Sequence, residues 1–100
     1  MTDQELLAGV TEAIRSTLKL GGEQILPGTR LIADLGTESL DLLDISSELE
    51  KVVDIEVNFR RLFDDRRAQP GVAADDITVQ ELADYLKEEI QKMNSAVAAV

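Results

Sequence analysis

Three stretches of this 100-residue chain repeat apolar residues every three or four positions, and none alternates them in steps of two. The first period matches one face of a helix and the second would match a strand, so the pattern predicts an all-α fold. Leu6, Leu7, Val10, Ile14 and Leu18 mark a helix from about Asp3 to Lys19. Thr2 and Glu5 have capping-box spacing at its start, and Gly21-Gly22 is read as its end. At ~100° per residue, Leu42, Ile45, Leu49, Val52 and Val53 share one arc of a second helix, from about Ser39 to Val53. Val79, Leu82, Ala83, Leu86, Ile90 and Met93 stripe a third, opened by a second capping box, Thr78 with Glu81. Three main helices plus one or two short ones imply a small helical bundle.

The remaining segments are less regular. Residues 21–36 lack a period and contain the turn pair Pro27-Gly28, yet Ile25, Leu26, Leu31, Ile32 and Leu35 are too apolar for a free linker. The expectation is a long ordered loop tacked onto the bundle by those five side chains. Between Asp54 and Asp76, Phe59, Leu62 and Phe63 suggest a short amphipathic helix, with Arg60, Arg61, Arg66 and Arg67 around it. Its arginines are expected to pair with Asp64 and Asp65, and Pro70-Gly71 to break the chain. Residues 1–93 are read as one domain, and 94–100, small and apolar without period, as a frayed tail.

Composition narrows the function. With no Cys there is no disulfide, thiolate metal site or thiol nucleophile. With no His, the commonest general base at neutral pH and the commonest metal ligand are gone. No apolar run approaches the ~18 residues of a membrane span. The first residues lack the basic flank of a signal peptide, so a cytoplasmic location is expected. Twenty acidic against ten basic residues give a net charge of −10, which argues against nucleic acid and for basic protein partners.

The most informative stretch is Ala33-Asp34-Leu35-Gly36-Thr37-Glu38-Ser39-Leu40-Asp41-Leu42-Leu43. It reads as a loop closing on Gly36, then a serine at the start of an amphipathic helix. Such a serine is a good N-cap; the same place offers its hydroxyl where a phosphate ester is favoured by free amides and the dipole. Position alone leaves both readings open. Leu40 and Leu43 lie beside Ser39 and outside the core arc, while Asp41, Asp44 and Glu48 gather as an acidic ridge.

Asp34-Leu35-Gly36-x-x-Ser39-Leu40 followed by an acidic helix resembles the attachment signature of acyl carrier proteins. The long loop, the Asp54-Ile55-Glu56-Val57 exit and the Ile77-Thr78-Val79 start of the last helix are similar too, over about residues 3–92. The resemblance implies 4′-phosphopantetheine covalently attached to Ser39, supplying the thiol that the chain lacks. It implies a monomer that meets a phosphopantetheinyl transferase and acyl-transferring or acyl-activating enzymes with basic docking patches. Glu38, Leu40, Asp41, Leu43, Asp44 and Glu48 would then form the recognition surface, an apolar patch rimmed by charge.

Two departures stand out. Glu38 replaces the usual aspartate before the serine, and the connection from Asn58 to Asp76 is longer than usual, which resembles specialised carriers, including those for very long acyl chains. Phe59, Leu62 and Phe63 are then either a turn capping the core or a partner-specific lid.

Rival readings are weaker. A serine nucleophile needs an adjacent base, and the sequence offers no His and no convincing Lys near Ser39, only carboxylates read as solvated. The acids of 34–44 lack the spacing and central glycine of a calcium loop. An aminoacyl or peptidyl carrier, or an unmodified acidic interaction module, stays compatible with the composition.

Overall fold

The computed structural model describes residues 2–21, 24–69 and 76–98, with side chains as far as residue 93. Its helices are α1 (Asp3–Thr17), α2 (Ser39–Val53), α3 (Phe59–Arg67) and α4 (Val79–Ala98). Among the described residues there is no strand, only an isolated antiparallel bridge between Arg30 and Thr78. No helix among them is long and apolar enough to cross a membrane.

Both capping boxes form. In the first, Glu5 N–H donates to Thr2 Oγ1 at 3.1 Å and Thr2 N–H to Glu5 Oε1 at 3.0 Å. In the second, Thr78 and Glu81 exchange the same pair of bonds at 3.0 and 3.1 Å. Each satisfies two amides that a helix start would otherwise leave without acceptors.

The end of α1 differs from the expectation. The glycines do not terminate it; Lys19 takes the left-handed conformation, φ 55°. Leu20 N–H returns to Arg15 O at 2.9 Å and Lys19 N–H to Ser16 O at 3.3 Å. These two bonds close a Schellman turn, and the carbonyls they satisfy offset the strain of a side chain at positive φ. Asp54 ends α2 in the same left-handed region, φ 55°.

The core is aliphatic. Leu6, Val10 and Ile14 of α1 meet Ile45 and Leu49 of α2 and Leu82 and Leu86 of α4, all buried, with Leu62 of α3 closing one side. α1 lies so near α2 that a Cβ on Gly9 would stand 2.9 Å from Val52 Cγ1. That contact, rather than the core, is what Val52 faces, and it is part-exposed. At the other end, Ile90 is only partly covered and Met93 is 50% exposed. α4 therefore runs beyond the body it packs on. Its backbone is helical through Ala98, past the expected limit at Met93; residues 99–100 lie outside the described ones.

The loop ahead of α2 is ordered, but through fewer side chains than expected. Leu31 is fully buried, Ile25 and Leu35 partly, while Leu26 and Ile32 stay exposed. Backbone bonds do the rest. Leu31 N–H donates to Ile77 O at 2.9 Å, Val79 N–H to Thr29 O at 3.0 Å and Gln80 N–H to Pro27 O at 2.9 Å. The Asp76 carboxylate accepts from the amides of Ile32 and Ala33, both at 2.9 Å, and from Ile77 at 2.8 Å. Burial raises its pKa, but those amides, with Arg30 nearby, outweigh it and hold the group below the ordinary aspartate value.

α3 is a full helix of nine residues, capped where Asn58 Oδ1 accepts from Arg61 N–H at 3.1 Å. Phe59 and Leu62 are buried. Its arginines pair mostly with α4 rather than with their own helix. Arg66 meets Glu81 at 2.8 Å and Arg61 meets Glu89 at 3.9 Å, while Arg67 pairs with Asp64. No ion pair to Asp65 forms among the described residues, so that expectation is corrected: the two helices face each other with opposite charge. Any second short helix in 70–75, and the Pro70-Gly71 break, lie outside the described residues.

Candidate functional site

Gly36 closes the loop at φ +67°, a conformation that a side chain resists. Thr37 then turns inward and is buried, its amide donating to Leu31 O at 3.1 Å. Its Oγ1 is buried without a hydrogen-bond partner. Helix α2 begins two residues later, and its cap is not the serine. Glu38 occupies the cap in extended geometry, φ −101° and ψ 170°, and its amide donates to Asp41 Oδ2 at 3.0 Å. The Asp41 carboxylate thus starts the helix one residue earlier than a serine cap would.

Ser39 consequently sits inside the first turn rather than in front of it. A serine cap commits its oxygen to a helix amide; Ser39 is exposed, and among the described residues its hydroxyl has no partner. The free amides and dipole of this 15-residue helix still point at the position.

The structure brings only part of the expected recognition surface to the serine. Leu40 and Leu43 stand out at 73% and 65% exposure, the highest of the large hydrophobic side chains among the described residues. The acidic ridge is less uniform. Asp41 is half-buried and used in the cap, Glu48 pairs with Lys51 at 3.1 Å, and Asp44 alone is exposed and without a partner among the described residues. Glu38 is exposed at the helix mouth.

A groove of about 460 Å³ opens beside the serine, between α2 and α3. Ser39, Leu43 and Arg60 lie on its rim, and Leu42, Val57, Phe59 and Phe63 line it with apolar surface. Val57 is fixed by its amide, which donates to Glu50 Oε1 at 3.1 Å. Composition and periodicity pointed to Phe59 and Phe63 as an amphipathic turn but not to their place beside Ser39. That meeting depends on the turn after Asp54, which no local pattern encodes. A hydroxyl with room around it, at a positive helix end and beside an apolar trough, suits esterification by a phosphate-bearing arm with an apolar load. Among the described residues, no group of acidic side chains is arranged to hold a metal ion.

Comparison with known proteins agrees with that geometry. The family model described as "Phosphopantetheine attachment site" matches residues 8–86. The chain is similar to an acyl carrier protein of Cyanidioschyzon merolae, 30% identical over 86% of this chain and 82% of that one. It is 31% identical to an acyl carrier protein of Syntrophus aciditrophicus over 78% of this chain and 84% of the relative. One from Chlorobium phaeovibrioides is 31% identical over 86% of this chain and 96% of its own length. The chain belongs to the acyl carrier protein family, and is thus a carrier with covalently bound 4′-phosphopantetheine rather than an enzyme.

Proposed function

We propose that Ser39 is the residue that bears the phosphopantetheine arm, and that the chain holds acyl groups on it as thioesters for partner enzymes. The observation that carries this is the uncommitted hydroxyl of Ser39 in the first turn of α2, exposed and opening onto an apolar groove. The arm supplies a thiol, which the polypeptide lacks.

Leu40 and Leu43 form the contact patch for a phosphopantetheinyl transferase and for acyl-transferring or acyl-activating enzymes. Glu38, Asp41, Asp44 and Glu48 supply the negative rim that a basic docking site approaches. Of these, Asp44 carries the most weight, since Asp41 and Glu48 already have internal partners. A small patch with a charged rim favours quick association and ready release.

Intact-mass spectrometry tests the assignment. Coexpression with a phosphopantetheinyl transferase adds one phosphopantetheine to the chain, and Ser39→Ala abolishes the gain. A gain that survives the substitution places the arm elsewhere. No gain with several competent transferases favours an unmodified interaction module.

A further inference from the structure

We propose that the groove beside Ser39 reads the cargo: it receives an acyl group that ends in a carboxylate, and Arg60 is the counter-ion for that end. This rests on the attachment at Ser39 argued above.

The starting point is an imbalance on α3. Three of its four arginines are engaged, Arg61 with Glu89, Arg66 with Glu81 and Arg67 with Asp64. Arg60 is exposed and has no ion pair among the described residues. Lys19 and Arg30 likewise make no ion pair among the described residues, but neither lines this groove. Glu56 lines the same groove, yet no ion pair joins it to Arg60. Arg60 is also the only arginine of α3 on this groove, where it shares the rim with Ser39.

The rest of the lining says what kind of group fits. Leu42, Val57, Phe59 and Phe63 favour methylenes, while the Ser46 hydroxyl is engaged with Leu43 O and Asn58 Oδ1 with the Arg61 amide. A wholly aliphatic load would use that surface and leave the guanidinium idle. A short acyl chain with a terminal carboxylate uses both, since the guanidinium fork matches a carboxylate with two parallel bonds. Tethering makes a weak contact sufficient, because a group held on an arm rooted at the rim has an effective concentration of roughly millimolar.

Butyryl and succinyl groups test this, being equal in carbon count and differing in a methyl or carboxylate end. The full chain is loaded by a promiscuous phosphopantetheinyl transferase from coenzyme A, butyryl-coenzyme A or succinyl-coenzyme A, and intact mass verifies each product. The readouts are the Arg60 Nε–Hε resonance and the melting midpoint. The succinyl form is expected to shift that resonance and to melt about 3 °C above the butyryl form. Arg60→Gln, an exposed substitution on an intact helix, should erase both differences.

Equal resonances and midpoints for the succinyl and butyryl forms would overturn the proposal. A shift already complete with the bare arm would overturn it too, making the arm's phosphodiester the partner. So would a succinyl effect that survives Arg60→Gln. Absence of any mass gain removes the attachment at Ser39 and this inference together, whereas loading without the Arg60 response removes this inference alone.

Discussion

Thr37 shows how closely single residues are bound to the site. It is 6% exposed, its amide is spent on Leu31 O, and its hydroxyl oxygen has no partner. A buried polar atom without a hydrogen bond costs about 1–3 kcal/mol. Thr37→Val keeps the shape and removes the orphan, so it should stabilise the fold by about 1 kcal/mol, read as a raised urea midpoint with unchanged slope. Loading at Ser39 should persist in this variant, since the hydroxyl holds nothing that positions α2.

Ser39 itself was legible as the start of a helix and as half of a known signature. Its place one step inside the helix was not, because Asp41 decides it by drawing in the Glu38 amide. The two leucines were legible for a simple reason: an exposed Leu off the core arc contradicts the helix period, and periods are written locally.

At the scale of elements, the loop before α2 is held by the segment leading into α4 and by the first turn of that helix. Asp76 accepts three amides, two of them from that loop, and its pKa is lowered, the amide bonds and Arg30 overriding the upward push of burial. A carboxyl whose folded pKa is depressed adds stability above its unfolded value, and loses it as pH falls through the folded one. The stability contributed by this latch should therefore be present above the ordinary aspartate value, 3.8, and be lost as pH falls below it. Glu81 shifts in the same direction: burial pushes it up, while Thr78 and Arg66 more than compensate. Asp76→Asn should cost about 1–2 kcal/mol at pH 7 and flatten part of the acid limb; an unchanged limb would mean that the latch carries no weight.

Here the limits of reading a sequence are physical. Capping boxes repeat a fixed three-residue spacing, so both could be seen in advance. The Schellman turn at Lys19 could not, since nothing local favours lysine at positive φ over the nearby glycines. Leu26 and Ile32 look as apolar as Leu31, yet only Leu31 is aimed into the core, a choice made by its bond to Ile77 from a distant segment and by the return of Thr37 N–H to its carbonyl. The arginines of α3 gave the same difficulty. Their charge was plain, but pairing with Glu81 and Glu89 instead of Asp65 follows from how α3 lies on α4.

For the whole molecule, the decisive quantity is the excess of ten negative charges. Three of the six ion pairs among the described residues are exposed on both sides, and each of those contributes at most about 1 kcal/mol. Self-repulsion of a compact chain is the larger long-range effect, and salt screens it over about 10 Å at 0.1 M. Raising sodium chloride from 10 to 300 mM (about 30 to 6 Å of screening) should raise the melting midpoint by a few degrees. A fall would show that the surface pairs outweigh the repulsion.

The bonds from Asp76, Ile77 and Val79 to the loop also change what distance along the chain means in this protein. Ser39 stands at the doorstep of a stretch whose hinges are hung some forty positions downstream. A sequence change near residue 76 is therefore a change at the threshold of Ser39, and a survey of variants that weighs only the neighbours of Ser39 in the polymer would overlook the residues that hold its door frame square.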